Sequence, residues 1–311
     1  MDAVILFSHG SLLCGAGLAL EQHAEWLRRR HAAPIVEIGY LNYSEPLFAD
    51  AVERCAAAGA TRIVVAPYFL VSGYFVETAL PTCIDRARHA HPGPDFIVTA
   101  PIGYDVRLAD ALLACADAAG PRERWRDDLA TAAAHCRQRP QCPLFGTQRC
   151  PKQPVLADDG ITAPGIQADP GATAALLIMA HGSPNHAADA DTFRIAELLR
   201  ARREDPFCGA AGAAASVPFD IIEPGFLECS EPSIPETIDA CVASGAASVT
   251  AVPYFLHAGK HVAEDLPALL DAARSRWPSC TFRLGPYIGR DPRLADILAD
   301  RIATTLAAVS R

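Results

Sequence analysis

The chain lacks any apolar run long enough to cross a membrane. Its opening residues, Met1 to Gly10, carry Asp2 and have no basic stretch ahead of an apolar segment, so they do not read as a secretory leader. Positive charge is also in short supply. The 27 Lys and Arg residues are outnumbered by 36 Asp and Glu, for a net charge of −9. That balance disfavours a nucleic-acid partner held by general attraction, and an acidic substrate would need a local basic patch. An evenly spaced cysteine framework is missing too. Most of the eleven cysteines stand singly in helix-like stretches, as Cys55, Cys115 and Cys241 do. Reduced thiols in a cytoplasmic protein are the expectation.

What is present is an ordinary globular balance, with half of the 311 residues hydrophobic, enough chain for two domains with their own cores. The sequence repeats itself. LNYSEP at 41–46 returns as LECSEP at 227–232, PYFLVSG at 67–73 as PYFLHAG at 253–259, and RLAD at 107–110 as RLAD at 293–296. The differences 227 − 41, 253 − 67 and 293 − 107 all equal 186, so the match runs without a gap. The openings match as well, VILFSHGS at 4–11 with LLIMAHGS at 176–183, where 181 − 9 is 172. The second copy therefore holds extra residues after its first motif, and the Ala/Gly-rich stretch Gly209 to Ser216 is the place for them.

Each copy alternates strand-like and helix-like segments. Ala3–Ser8, Ile35–Leu41, Arg62–Phe69 and Phe96–Ile102 are short apolar runs rich in β-branched residues, and Ala175–Ala180, Asp220–Leu227, Ser248–Phe255 and Thr281–Ile288 repeat them. Gly17–Arg30 and Leu47–Ala58 have helical spacing without internal proline. The alternation predicts an α/β fold: two similar parallel-sheet domains related by internal duplication and facing each other across a cleft. The expected domains are 1–119 and 173–311. Between them, residues 120–172 form a linker or insertion with six prolines from Pro140 to Pro170, whose start, Arg122–Ala134, has helical character.

Ligands of parallel α/β sheets bind beyond the carboxyl ends of the strands. In the second copy His181 follows the first strand, Glu228 the second and His261 the third. Two imidazoles and a carboxylate converging there form either a divalent transition-metal site or a set for proton transfer. The first copy keeps His9 but has Asn42 and Phe75 in place of the other two. Its site is thus degenerate, and Tyr74 and Phe75 are candidates for an aromatic wall facing a flat ligand. His257, with Val71 as its counterpart, is expected to flank the pocket, and His186 to face solvent. Ser183 and Lys260 stand beside the motifs as further substrate-binding candidates; Lys260, Arg290 and Arg293 are the nearest basic residues, although solvation is the commoner role for each. Cys136, Cys142 and Cys150, with His135 beside them, crowd the insertion. Their spacing fits no standard zinc or iron–sulfur pattern, so ordinary thiols are favoured over a cluster.

AHGS at 180–183, GFLECSEPSI at 225–234 and PYFLHAGKHVAEDLP at 253–267 resemble the CbiX/SirB family of sirohydrochlorin chelatases. The resemblance covers both copies, nearly the whole chain apart from the insertion. It implies the long form of that family, with both halves in one chain, so that a monomer suffices and a dimer remains open. The implied activity is insertion of cobalt or ferrous iron, the metal being a substrate, into a sirohydrochlorin-type tetrapyrrole for cobalamin or siroheme synthesis, without a nucleotide. No G-x-x-x-x-G-K-[ST] loop is present, in keeping with that. The family's catalytic His–Glu–His pattern carries over onto His181, Glu228 and His261, and the first copy departs from it. Nickel insertion into the same macrocycle and a non-catalytic metal or tetrapyrrole carrier stand as alternatives, the carrier being disfavoured because it needs no proton acceptor.

Overall fold

Strand β1, Asp2–Ser8, is apolar on both faces, and Ala3 to Phe7 are all fully buried. A strand of that composition belongs in the middle of a sheet covered by helices on both sides. In the computed structural model, which describes residues 1–11, 16–120, 171–184, 189–205, 208 and 217–309, β1 pairs in parallel with β2 (Ile35–Tyr40) and β3 (Arg62–Pro67), and β4 (Asp95–Val98) adds to β3. The order is β2-β1-β3-β4. The second copy builds the same sheet from β5 (Ala174–Ala180), β6 (Ile221–Phe226), β7 (Ser248–Pro253) and β8 (Thr281–Leu284), in the order β6-β5-β7-β8. All eight expected strands form, the fourth of each sheet being the most shortened. The order reverses direction between β1 and β3, and between β5 and β7, which makes the carboxyl ends of those pairs the ligand crevice of each sheet.

The helices follow from the same patterns. Helices α1 (Leu18–Arg29), α2 (Phe48–Ala57) and α3 (Leu80–Ala90) belong with the first sheet, and α5 (Ala190–Glu204), α6 (Ile234–Ala243) and α7 (Leu266–Arg276) with the second. Ala3, Ile5 and Phe7 of β1 pack with Phe48, Val52, Leu80 and Ile84 of α2 and α3 in one core layer. The Cys55 thiol lies in that layer, and burial, reinforced by the Glu37 charge, pushes it up to about 12. Cys241, likewise buried, is pushed up to about 11. Such thiols stay protonated and serve as small apolar side chains. Every described cysteine is free of disulfide bonding. No helix among the described residues is long and apolar enough to cross a membrane.

The compact units do not coincide with the sequence halves. One is Met1–Asp105 with Gly289–Arg311, the other Val106–Ile288. The last helix of each repeat is thus exchanged: α4 (Arg107–Asp117) belongs to the second unit and α8 (Arg293–Val309) to the first. Side-chain contacts account for both placements. Asp110 of α4 pairs at 2.8 Å with Arg202 of α5, whose side chain is 1% exposed. Backbone packing is equally close, since a Cβ at Gly285 would lie 2.6 Å from the Cys115 carbonyl oxygen. In the first unit, Gly289, just ahead of α8, accepts hydrogen bonds from buried His23 (Nε2, 2.7 Å) and from the Tyr68 hydroxyl (3.0 Å). Arg301 of α8 donates to the Ile102 carbonyl at 3.2 Å. The repeat pattern carried no trace of this exchange, because both helices open on the same RLAD at the constant repeat offset. Residues 121–170, with the expected helix at Arg122–Ala134, and Gly209 to Ser216 lie outside the described residues.

Two outcomes are expected. Asp110→Ala removes one charged partner of the buried Arg202 guanidinium, which keeps its bond to the Cys208 carbonyl, at a cost of about 1–3 kcal/mol. Native-state hydrogen exchange should accelerate in β5–β8 rather than in β1–β4, although residue 110 lies in the first sequence half; acceleration confined to β1–β4 would refute the exchange. Burial holds His23 below its ordinary value of 6.5, with the Gly289 hydrogen bond and Asp291 opposing the shift. The folded protein therefore keeps His23 neutral where the unfolded chain takes a proton. Its contribution is full above pH 6.5 and is lost as pH falls toward the lower folded value. Between about pH 7.5 and pH 5 the urea midpoint should fall more in the wild type than in His23→Gln; equal slopes would remove His23 as the cause.

Candidate functional site

The site begins with a glycine. Gly182 has φ +87°, and a Cβ there would stand 1.8 Å from the Glu228 carbonyl oxygen. Only glycine fits both the left-handed backbone and that approach. The loop after β5 and the loop after β6 thus run in contact, with the Glu228 N–H donating to the His181 carbonyl at 2.9 Å. The Ser230 hydroxyl staples them from the side: it accepts from the Ser183 N–H at 3.0 Å and donates to the buried Asp189 carboxylate at 2.5 Å. Beyond this loop, α6 starts on a capping box in which Ser233 and Glu236 exchange side-chain and backbone hydrogen bonds.

His261 reaches the same place from β7. It opens a five-residue π-turn, His261–Asp265, in which the Leu266 N–H bonds the His261 carbonyl. Pro267 follows directly, and a proline there has no N–H for an ordinary helical bond and crowds the carbonyl four residues back; the widened turn relieves this. The His181 and His261 rings stand with centroids 4.9 Å apart and planes at 84°. Phe255 backs both, at 6.2 and 6.5 Å. His181 Nδ1 lies 3.1 Å from the Gly182 carbonyl, and His261 Nδ1 lies 2.8 Å from an Asp265 carboxylate oxygen. A carbonyl or a carboxylate can only accept, so each Nδ1 carries a proton, and a neutral ring in that tautomer has its Nε2 lone pair for a ligand.

Of the three residues singled out in the sequence, then, the two imidazoles meet and the carboxylate does not. Glu228 is exposed, and among the described residues its carboxylate takes no partner. No group of three His, Cys, Asp or Glu side chains among the described residues is arranged to hold a metal ion. Glu228 is one loop away, joined to His181 through the backbone. Asp265 is the residue that sequence reasoning missed. Its signal was present: four positions after His261, one helical turn on.

The other candidates divide. Ser183 contributes its backbone to the Ser230 staple. Lys260 is exposed immediately before His261, and His257 is half-buried on the same loop. Arg290 and Arg293 belong to the first unit, unlike the motifs they adjoin in sequence, and Arg293 is committed to Asp291 at 2.8 Å. Cys136, Cys142, Cys150, His135 and His186 lie outside the described residues.

In the first copy the same frame holds different chemistry. Gly10, with φ +84°, passes 1.8 Å by the same measure from the Asn42 carbonyl oxygen. His9 stacks on Phe75 at 5.3 Å, and Phe75 stacks on Phe69 at 5.6 Å. Tyr74 meets Phe75 edge-on and is 67% exposed, so this copy has an aromatic cluster where the second has paired imidazoles.

Comparison with known proteins agrees with this duplicated frame. A family model described as CbiX matches residues 3–119 and 175–305. The chloroplastic sirohydrochlorin ferrochelatase of Arabidopsis thaliana is 32% identical over 111 residues, 36% of this chain, and the match spans about half of that relative, 49%. The sirohydrochlorin ferrochelatase of Priestia megaterium is 22% identical over 310 residues, covering 99% of this chain and 91% of that one. Among solved structures, SirB from Bacillus subtilis with Fe3+ matches at a TM-score of 0.69 and 20% identity, over 99% of this chain and 97% of that one, a likeness of fold.

The close approach at Gly182 has a measurable consequence. Gly182→Ala faces both the left-handed backbone penalty, about 1–2 kcal/mol, and a backbone clash. Gly245→Ala, at φ +92° with nothing within 4 Å, faces only the first. Thermal unfolding should show the larger loss for Gly182→Ala; equal losses would mean that the loop contact does not hold the site.

Proposed function

The chain belongs to the CbiX family, and from that premise we propose that it is a sirohydrochlorin chelatase, inserting cobalt or ferrous iron into the macrocycle with the metal as a substrate. The pair of imidazoles at the β5/β7 crevice carries this reading. Two adjacent rings, each with Nδ1 occupied and Nε2 left for a ligand, suit a borderline divalent cation that must be taken from water and given up again. Neutral ligands hold such an ion without the full charge of a thiolate cage.

Insertion exchanges two N–H protons of the macrocycle for one divalent ion, so two protons must leave. Glu228 is the proton acceptor, taking the two protons one at a time and passing each to solvent from its exposed position. Its exposed carboxylate is unpaired among the described residues, free to approach the metal or the macrocycle nitrogens when both are bound. Exposed Lys260, next to His261, meets a substrate carboxylate. The exposed rings of Tyr74 and Phe75, with His9 stacked on Phe75, offer apolar contact to a flat conjugated ring. Only the second copy performs the metal chemistry, no nucleotide takes part, and one chain is sufficient. The cytoplasm is the proposed compartment, consistent with the free thiols of the described cysteines. Nickel suits the same imidazoles, so metal choice is to be measured and not assumed.

The test is anaerobic metallation of sirohydrochlorin by Co2+ or Fe2+, followed by absorbance against the uncatalysed rate. His181→Ala and His261→Ala should each lose at least about 10-fold in rate, His9→Ala less. Glu228→Gln keeps its shape but loses the charge, and should slow turnover about 100-fold with the fold intact. Metal-free protein should bind one Co2+ per chain. Absence of catalysis with tight Co2+ binding would favour the carrier; equal losses at His9, His181 and His261 would overturn the division between copies.

A further inference from the structure

The π-turns of the two copies permit a controlled comparison. Phe75–Ala79 and His261–Asp265 have the same backbone, each closed by a bond from the following leucine N–H to the first carbonyl. Proline follows in both, at 81 and 267. The turn therefore forms whether or not it carries a carboxylate. At the repeat offset, Phe75 stands for His261 and Ala79 for Asp265. The imidazole and its carboxylate partner are present together in one copy and absent together in the other. Stability does not account for the pairing, because both side chains are about one-third exposed, at 35% and 34%, and ion pairs this open contribute little.

The two imidazoles are also held unequally. His181 leans on a neutral backbone carbonyl at 3.1 Å, in an exposed position. His261 leans on a carboxylate at 2.8 Å in a partly buried one. A carboxylate behind a ligating imidazole sets the tautomer, fixes the ring and strengthens the ligand. We propose that Asp265 is a positioning residue that makes His261 the anchoring ligand for the incoming divalent cation, leaving His181 as the looser partner. The proposal rests on the chelatase reading for its cation, but not for its geometry.

The experiment uses the full chain and three variants, Asp265→Ala, Asp265→Asn and Asp265→Glu, with circular dichroism melts to verify folding. Nitrogen NMR of the metal-free protein, with His261→Ala to assign the signals, reads the tautomer. The wild type should show the Nδ1–H form at His261, and Asp265→Ala a mixture. Co2+ titration should weaken about 10- to 100-fold in Asp265→Ala, less in Asp265→Asn, and recover to within a few-fold in Asp265→Glu. In turnover, KM for Co2+ should rise while KM for sirohydrochlorin stays unchanged. An Nε2–H tautomer in the wild type, Co2+ affinity within twofold of wild type in Asp265→Ala, or a rise confined to the KM for sirohydrochlorin would each overturn the proposal. A protein with the expected tautomer and an Asp265-dependent Co2+ site that metallates nothing would sink the chelatase reading and leave the role of Asp265 standing. Catalysis indifferent to Asp265 would do the reverse.

Discussion

The chain after β5 passes so close to the chain after β6 that no Cβ fits between them, and the site depends on that passage. Gly182 at φ +87° lets the Glu228 carbonyl oxygen occupy the space of a side chain. The contact places His181 and Glu228 on adjoining loops, and the Ser230 staple keeps them in register. Because β5 and β7 are neighbours at the point where the strand order reverses, the loop leaving β7 delivers His261 to the same crevice. Removing one hydrogen bond from this set leaves the others in place, whereas a side chain at Gly182 acts on the backbone itself. The same approach at Gly10 and Asn42 in the first copy, where only His9 of the three candidate residues is kept, marks it as part of the frame.

On that frame the copies have diverged in coordinated groups. His261 with Asp265 corresponds to Phe75 with Ala79. Asp189 with Phe226 corresponds to Gly17 with Tyr40, where a Cβ on Gly17 would meet the Tyr40 hydroxyl at 2.4 Å. In the first case the imidazole and the carboxylate it bonds change together. The outcome is one copy with two facing imidazoles at its strand ends and another with an aromatic cluster in their place.

The exchanged helices give the duplication a further property. Each compact unit is completed by a helix from the other repeat, held by the Asp110–Arg202 pair in one and by the clasp of His23 and Tyr68 on Gly289 in the other. A cut between the sequence halves would take from each unit the helix that covers part of its sheet. The buried faces of α4 and α8, with Leu108, Leu112, Leu294 and Leu298 all at zero exposure, are the apolar surface that such a cut would expose.

The strand pattern, the constant repeat offset and the identity of the three strand-end residues were all legible in the sequence, because each is written in local periodicity or in the match between copies. Those signals also carried the parallel order of the sheets, since strand–helix alternation leaves few other arrangements. Tertiary structure alone decided the rest. Both helices open on RLAD at the repeat offset, and it is packing partners far along the chain, Arg202 for α4 and His23 for the segment leading into α8, that show which unit each helix completes. Sequence placed Glu228 beside two histidines, but a side chain's direction depends on its loop, and this one faces solvent. Asp265 lay in plain view four residues after His261; its meaning depended on a π-turn and a 2.8 Å hydrogen bond. Local periodicity specifies elements, whereas hydrogen-bond direction and the exchange of like helices arise only once distant segments are brought into contact.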